Sequence, residues 1–303
     1  MIHQELLEFT PALTLPPGFA RPGQQTDGVE YRSSSSARAL LRRTAPDLSH
    51  FDRRNAWPLE PYRGSESGSL LDAAKTRSGR RRVLVDSALP ATLRRRLSRC
   101  AHPGLSITLG ERFEPYPSAE ERFTITRTLL EILEEARDLE IEVKTGSPLV
   151  LRDLDLLRRL DLKHTVTVTV PIATLDRKLA VRLEGNAAEP SKRLEIVRAL
   201  ALDGIAVVVA CGPLLPGINS SADELSPLFA AVRRAGALDV LGDARPTEPK
   251  YRRSIAGWLD EHAPESAAAV LRALTSGGSK TLLGTLERLR LTHGFPKLRA
   301  GRG

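Results

Sequence analysis

Between residues 80 and 245, short apolar segments alternate with longer segments whose apolar residues have helical spacing. The short segments are typical of buried strands and read RRVLVDS, GLSITLGE, IEVKTG, HTVTVTVPIAT, IAVVVACGPLLPG and LDVLGDAR. Strands that alternate with helices over short loops predict a parallel sheet covered by helices. The predicted fold class is therefore α/β. An open or partial (β/α) barrel is the leading architecture, and a doubly wound sheet is the alternative that the hydrophobic pattern leaves open.

The segments between the strands carry helix-boundary signals. Ser147 and Pro148 fit the N-cap and the first position of a helix over SPLVLRDLDLLRRLDL, and Gly204 fits the end of a helix over EPSKRLEIVRALALDG. The segment SAEERFTITRTLLEILEEARDL opens with a serine followed by glutamates, which favours a helix over that segment. A further helix is predicted over SADELSPLFAAVRRAGA.

The rest of the chain predicts two flanking regions. Residues 1–36 are rich in Pro, Gly, Gln and Ser and predict a poorly ordered N-terminal arm. Residues 37–245 form the predicted barrel. Residues 246–303 predict a helical C-terminal appendage that is interrupted at Pro264 and ends in the basic tail KLRAGRG.

Composition restricts the partners and the compartment. The chain has 303 residues, of which 41% are hydrophobic and 27% charged, so it can bury a sizeable core. A formal net charge of +8 permits contact with nucleic acid or with acidic protein surfaces. The first residues, MIHQELLEFT, lack a signal-peptide pattern, and the sequence has no transmembrane run. We therefore expect a cytoplasmic protein without a membrane partner.

The two cysteines, Cys100 and Cys211, are far apart in the sequence. Alone they cannot form a disulfide framework, a zinc site or a cluster site. A cubane iron–sulfur cluster needs three or more thiolates from the protein, which this chain does not have. Cys211 ends an apolar run and predicts a small core residue.

The most informative motif is EPYRGSESGSLLDAA, which starts at residue 60. Its small polar residues Ser65, Ser69 and Asp72 have the spacing at which three cysteines could hold an iron–sulfur cluster. The motif resembles the opening motif of the radical SAM family related to spore photoproduct lyase, Asn-Pro-Tyr-Arg-Gly-Cys-Glu-His-Gly-Cys-x-Tyr-Cys, in its soluble bacterial branch of uncharacterised proteins. The Pro, Tyr, Arg, both glycines and Glu66 match, whereas all three cysteine positions differ.

Further segments carry the same resemblance in the same order. They are EPYPSAEERFTITRTLLEIL, SPLVLRDLDLLRRL, TLDRKLAVRLEGNAAEPSKRLEIVRAL with Glu184 and Arg193, and GPLLPGIN. The resemblance covers residues 37–275. It implies a partial (β/α) barrel, a 4Fe–4S cluster held by three cysteines after the first strand, and S-adenosylmethionine bound to that cluster.

The lost cysteines change what the resemblance implies for this chain. A serine hydroxyl and an aspartate carboxylate are hard ligands, and they do not replace thiolates in a cluster. We predict a degenerate radical SAM homologue that acts as a binding or regulatory pseudoenzyme, with an intact paralogue, another protein or nucleic acid as its partner. No cofactor is expected, and S-adenosylmethionine is the candidate ligand. The alternatives are a cluster-independent enzyme that uses S-adenosylmethionine or a nucleotide at the barrel mouth, and a nucleic-acid-binding protein.

Candidate ligand contacts follow from the resemblance, since the family binds S-adenosylmethionine with the loops at the strand ends. The corresponding segments are 110–115, 169–174 and 212–217. Within them, Glu111 or Glu114 could meet an ammonium group, and GPLLPG could flank an adenine; the plainer interpretation is that these residues only close the barrel mouth. The candidate residues are Tyr62, Gly110, Glu111, Glu114, Thr169, Gly212 and Pro213.

Two other groups of residues are weaker candidates. The basic runs RSGRRR and RRRLSR could contact phosphates through Arg80, Arg81, Arg82, Arg94 and Arg95. No aromatic residues are interleaved with them, so a solvated helix face explains the second run equally well. The oxygen atoms of Ser65, Ser69 and Asp72 could hold Mg²⁺ or Ca²⁺, but one carboxylate with two hydroxyls is a weak set, and a polar surface loop is favoured.

Overall fold

A computed structural model describes residues 25–26, 29–33, 57–64, 81–100, 103–185, 187–242, 251–275 and 278–296. The cluster-motif positions Ser65, Ser69 and Asp72, together with Arg80, lie outside the described residues. For residues 25–26, 29–33, 81–82, 100 and 278–280, only the backbone elements are described.

The strands are β1 Gln25–Thr26, β2 Val29–Ser33, β3 Trp57–Leu59, β4 Tyr62–Gly64, β5 Arg81–Val85, β6 Ser106–Leu109, β7 Glu140–Lys144, β8 Thr165–Pro171, β9 Ala206–Cys211 and β10 Asp239–Gly242. The helices are α1 Leu89–Cys100, α2 Ala119–Phe123, α3 Ile125–Leu133, α4 Leu154–Asp161, α5 Arg177–Glu184, α6 Pro190–Leu202, α7 Ala222–Arg234, α8 Arg252–His262, α9 Ala267–Thr275 and α10 Gly278–Thr292. A 3₁₀ helix, Pro148–Asp153, leads directly into α4.

The main sheet has six strands in the order β10-β9-β8-β7-β6-β3, and all neighbouring strands are parallel. Helices connect its successive strands, so the predicted α/β class is confirmed. β3 and β10 are separate edges, which makes the sheet an open arrangement consistent with a partial barrel. A smaller sheet has the order β1-β2-β5-β4, in which β2 and β5 are parallel.

The helix predicted over SAEERFTITRTLLEIL is divided in two. Thr124 has a φ of 49° and separates α2 from α3. The carboxylate of Glu120 accepts hydrogen bonds from the backbone N–H groups of Thr126 and Arg127, at 2.9 and 3.1 Å. These are first-turn donors of α3 that have no partner inside the helix, so Glu120 caps the second helix from within the first.

The described residues form two hydrophobic cores. The larger includes Leu286, Leu289 and Phe295, so α10 packs with the barrel through α7 and β10. The smaller core joins α8 and α9 to the loops that follow β8 and β9, through Ala173 and Leu215 among others. Within the described residues, no helix combines the length and the apolar character needed to cross a bilayer.

Candidate functional site

The two faces of the main sheet differ in chemistry. Side chains alternate along each strand, and the residues that face the helices are apolar: Ile107, Ile141, Val143, Val166, Val168, Val170, Val207 and Val209. On β6, β7 and β8, the opposite face, which we call the polar face, includes Ser106, Thr108, Glu142, Lys144, Thr167 and Thr169, whereas β9 contributes Ala206, Val208 and Ala210 to it. Five of the polar residues pair directly across strands, with Glu142 between Thr108 and Thr167, and Lys144 beside Thr169.

Ionic and hydroxyl groups meet at the centre of the polar face. Glu142 accepts a hydrogen bond from the hydroxyl of Thr169 at 2.8 Å and a longer one from the hydroxyl of Thr108 at 3.4 Å. The ammonium of Lys144 lies 2.6 Å from a carboxylate oxygen of Glu111 and 3.6 Å from Glu142. The ammonium of Lys144 thus lies between two carboxylates.

The loop after β6 brings Glu111 to this cluster, and another carboxylate fixes that loop. Glu60, directly after β3, accepts the backbone N–H groups of Arg112 and Phe113 at 2.8 and 3.3 Å. Burial raises the pKa of Glu60 to about 8, although the two hydrogen bonds oppose the shift. The loop after β6 is therefore held by Glu60, a carboxyl group whose pKa is well above its ordinary value.

Gly110 begins the loop with a φ of +79°, where a side chain is disfavoured. A Cβ atom here would lie 2.6 Å from the carbonyl oxygen of Lys144 and 2.6 Å from Pro115. Gly110 therefore allows the loop to turn tightly against the end of β7.

Glu114 links the loop after β6 to the loop after β7. Its carboxylate accepts hydrogen bonds from the hydroxyl of Thr145, from the backbone N–H of Gly146 at 3.1 Å and from that of Tyr116 at 2.9 Å. Desolvation raises the pKa of Glu114, and these hydrogen bonds counter that rise. Because protein donors already engage both oxygens, Glu114 positions the two loops, and Glu111 is the acid that reaches the polar face.

The loop containing Gly212 and Pro213 follows β9 and has a cis peptide bond between these two residues. Asn219 fixes the loop. Its amide group donates to the carbonyls of Pro213 and Ala173 at 2.9 and 3.2 Å, and its oxygen accepts the N–H of Leu215 at 2.8 Å. Asn219 thus holds the strand-end loops of β8 and β9 together, a role that its place in GPLLPGIN alone does not reveal.

A buried ion pair supports the end of β8. Arg193 is 3% exposed, and its Nη1 lies 2.7 Å from Glu184 and donates to the carbonyl of Pro171 at 2.7 Å. A Cβ atom on Gly146 would lie 3.1 Å from Nε of Arg193. Arg193 therefore packs beneath the ends of β7 and β8, and it stabilises the rim of the site.

The other sequence-predicted residues lie elsewhere. The hydroxyl of Tyr62 donates to Glu120 at 2.5 Å in a buried network away from Lys144 and Glu142. Arg94 is exposed on α1 and pairs with Glu135 at 2.9 Å, and Arg95 donates to Thr92. Arg81 and Arg82 lie in β5, and the structure describes only their backbone.

Polar alternation was the signal that could have located the cluster. The segments EIEVK and TVTVTVP place every second residue on one face, and those residues are Glu, Lys and Thr. The alternation predicts strands, and Thr169 is one of the predicted site residues, whereas Glu142 and Lys144 are not among them.

The available residues do not fit an iron–sulfur cluster. Cys211 is fully buried in the core on the helix side of β9, and the chain has one other cysteine. Within the described ranges, no group of three or more His, Cys, Asp or Glu side chains has the geometry of a metal site. A cluster needs several thiolates at one place, and this sequence cannot supply them.

Comparison with known proteins gives relatives without an assigned activity. No protein-family model matches the chain. Uncharacterized proteins of Mycobacterium bovis and Mycobacterium tuberculosis are 27% identical over 183 residues, which are 60% of this chain and 54% of those proteins. The chain therefore spans about half the length of the curated relatives it matches. An uncharacterized protein of Acidianus two-tailed virus is 38% identical over 91 residues, 29% of this chain and 30% of that protein.

Solved structures show the fold. Spore photoproduct lyase, a radical SAM enzyme, matches with a TM-score of 0.61 at 13% identity, over 91% of this chain and 85% of the lyase. A variant of that lyase with bound AdoMet and dinucleoside spore photoproduct matches with a TM-score of 0.63 at 12% identity and the same coverage. The chain has the α/β fold of these radical SAM enzymes.

Proposed function

We propose that this protein is a radical SAM homologue without cluster chemistry, which acts by binding a cationic nucleoside ligand over the polar face. S-adenosylmethionine is the candidate ligand. The observation that carries the proposal is the cluster of Glu111, Glu142 and Lys144 at the strand ends. A sheet face needed only for packing would be apolar, as the helix side of this sheet is.

The acidic residues of the cluster favour a cationic ligand. The cluster contains two carboxylates, Glu111 and Glu142, and carboxylates complement a sulfonium or ammonium group. The side chains of Lys144 and Glu111 are 22% and 20% exposed, so a ligand can reach them from solvent. A structural neighbour that binds AdoMet in the same fold supports this choice.

Without cysteine ligands for a cluster, the protein could bind S-adenosylmethionine but could not cleave it by the radical chemistry of the family. Ser65, Ser69 and Asp72 stand where the resemblance implies cysteines, and Cys211 is enclosed by the core. The protein would therefore retain a ligand-binding barrel while lacking the group that cleaves S-adenosylmethionine. A regulatory role follows from binding without turnover.

Isothermal titration calorimetry of the iron-free protein tests the proposal. We expect saturable binding of S-adenosylmethionine, and binding of neutral-sulfur S-adenosylhomocysteine that is about tenfold weaker because the sulfonium charge is absent. Adenosine serves as the control for contacts made by the base and ribose alone. Equal affinity for all three compounds, or no binding of any, would contradict the proposal.

A further inference from the structure

Three exposed leucines lie at the opposite end of the main sheet from the polar cluster. Leu162, Leu202 and Leu238 are 87%, 78% and 58% exposed. They precede β8, β9 and β10, which are neighbours in the sheet. Because the strands are parallel, all three leucines are at the amino ends of the strands.

Contacts between the connecting segments show that the three positions adjoin one another. Arg158, one helical turn before Leu162, pairs with Asp203 at 2.6 Å, and Asp203 directly follows Leu202. A Cβ atom on Gly236 would lie 2.7 Å from Cβ of Ala201, which places the segment before Leu238 against the end of α6. The three leucines therefore lie on adjoining connections at one end of the sheet, and together we call them the leucine patch.

An arginine precedes each leucine of the patch by four residues, in the segments RRLDL, RALAL and RAGAL. In α4 and α6 this spacing places Arg158 beside Leu162 and Arg198 beside Leu202 on one helix face. Arg234 is the last residue of α7 and lies before Leu238. Arg198 and Arg234 are exposed, and neither has an ion-pair partner among the residues that the structure describes.

Acidic residues offset this charge only in part. Asp203 is engaged by Arg158, and Asp161 accepts the backbone N–H of Val166 at 3.2 Å. The patch thus combines an apolar centre with an arginine-rich margin, the arrangement of an interface that selects its partner by charge. Two copies of the chain joined patch to patch would bring arginines toward arginines.

We propose that the leucine patch docks an acidic protein segment, an amphipathic helix whose apolar side is flanked by Asp and Glu. Apolar side chains of the segment would cover the three leucines, and its carboxylates would pair with Arg198 and Arg234. This inference is independent of the ligand proposed for the polar face, because the two surfaces are at opposite ends of the strands.

The test uses two fluorescent peptides of about 18 residues, or five helical turns, that share one leucine stripe. Glutamates flank the stripe in one peptide and lysines flank it in the other. By fluorescence anisotropy, we expect the acidic peptide to bind at least about tenfold tighter than the basic one, with a preference that weakens as salt increases. Equal binding of both peptides, or binding of neither, would overturn the proposal.

Variants then locate the binding. The triple substitution Leu162→Ser, Leu202→Ser and Leu238→Ser should weaken binding of the acidic peptide by about tenfold or more, since it removes the apolar contact. The matched control, Leu283→Ser with Leu291→Ser, changes leucines on α10 that are 51% and 50% exposed and should leave binding unchanged. Circular dichroism verifies that both variants are folded.

Reversing the charge of the two arginines provides a second test that does not depend on the leucines. Arg198→Glu with Arg234→Glu should shift the preference from the acidic to the basic peptide. If the variant still preferred the acidic peptide, Arg198 and Arg234 would not determine the choice of partner, and the proposal would be contradicted. A concentration-dependent dimer in sedimentation that the triple leucine variant abolishes would assign the patch to self-association and also overturn the proposal.

Discussion

Two clusters of charged residues in this protein have similar composition and different surroundings. Glu120 is fully buried and accepts hydrogen bonds from Tyr62, from the N–H groups of Thr126 and Arg127, and from Arg152 at 2.7 Å. The polar-face cluster keeps about a fifth of the Lys144 and Glu111 side chains exposed. The first cluster joins parts of the chain to one another in the interior, and the second is partly open to solvent.

Glu120 and Asp153 are structural acids, whereas Glu111 and Glu142 are candidate ligand contacts. Asp153, which is also fully buried, extends the first cluster by accepting from Tyr116, Arg127 and Arg152. The network joins β4, the two halves of the divided helix and the 3₁₀ helix before α4. Its charges are satisfied within the described residues. The polar-face cluster spans strand ends and a loop, and the ammonium of Lys144 lies between the carboxylates of Glu111 and Glu142.

The largest expected effect is at Glu120. Glu120→Ala would leave the Tyr62 hydroxyl and two backbone N–H groups without their acceptor and would remove one of the two carboxylates that Arg152 contacts. The free energy of unfolding should therefore fall by about 3–5 kcal/mol. Urea denaturation measures the change. Glu135→Ala, which removes an exposed pair with Arg94, is the control and should cost less than about 1 kcal/mol. Similar losses in the two variants would refute the division into two kinds of cluster.

The next effect depends on pH and concerns Glu60. Its folded-state pKa is raised to about 8, so the folded protein favours the neutral acid while the unfolded chain ionises near its ordinary value of 4.5. Stability from this group is present below the unfolded pKa and is lost as pH rises through the folded pKa. Between about pH 5 and 8, the wild type should lose on the order of 3 kcal/mol more stability than Glu60→Gln.

Urea denaturation of both proteins across that pH range makes the comparison. Other titrating groups are common to the wild type and Glu60→Gln, so they cancel in the difference. Parallel stability profiles for the two proteins would show that Glu60 is ionised in the folded state, and that its carboxylate holds the loop after β6 in its ordinary charged form.

A smaller effect concerns the turn that carries Glu111. Gly110→Ala forces a side chain into positive φ and against the Lys144 carbonyl, and should cost about 2–3 kcal/mol. Gly104 has a similar φ of +75° but nothing within 4 Å of its Cβ position. Gly104→Ala should therefore cost only about 1–2 kcal/mol, the conformational part. Equal thermal shifts for the two variants would show that the close contact does not constrain the loop.

The smallest expected change in stability is at Glu142. The same substitution should have a clear effect on ligand binding. Glu142→Gln keeps the side-chain shape but removes a carboxylate charge, so S-adenosylmethionine should bind about tenfold more weakly. The melting temperature should stay within a few degrees of the wild type, a shift of about 1 kcal/mol or less. Glu195→Gln, on the surface of α6, is the control for binding. Unchanged affinity in Glu142→Gln would place the ligand elsewhere.

The sequence predicted β6 to β10 of the main sheet and most of its helices because their signals are local. It did not predict β3, and the strand predicted over RRVLVDS is β5 of the smaller sheet. It did not predict the division at Thr124, since that break depends on Glu120 contacting residues on other segments. It also gave no indication that Asn219 joins two loops. Helix α5 was not predicted. Helix α10 lies within the predicted helical appendage, but its packing on α7 and β10 was not predicted, since it is a contact between distant parts of the chain.

The candidate site was predicted in part. Gly110, Glu111 and Thr169 lie at or beside the polar cluster, whereas Glu114 is occupied by loop contacts and Tyr62 belongs to the buried network. Sequence spacing identifies which residues follow a strand. It does not identify which of two nearby acids turns toward the sheet, because that depends on the donors that each acid meets.

Anaerobic reconstitution with iron and sulfide, followed by iron quantitation on the desalted protein and titration of S-adenosylmethionine, tests the loss of cluster chemistry most directly. We predict far less than one cluster per chain, no iron–thiolate absorption, and S-adenosylmethionine binding that is the same before and after reconstitution. A stoichiometric 4Fe–4S cluster, or binding that appears only once iron is present, would contradict the proposed function.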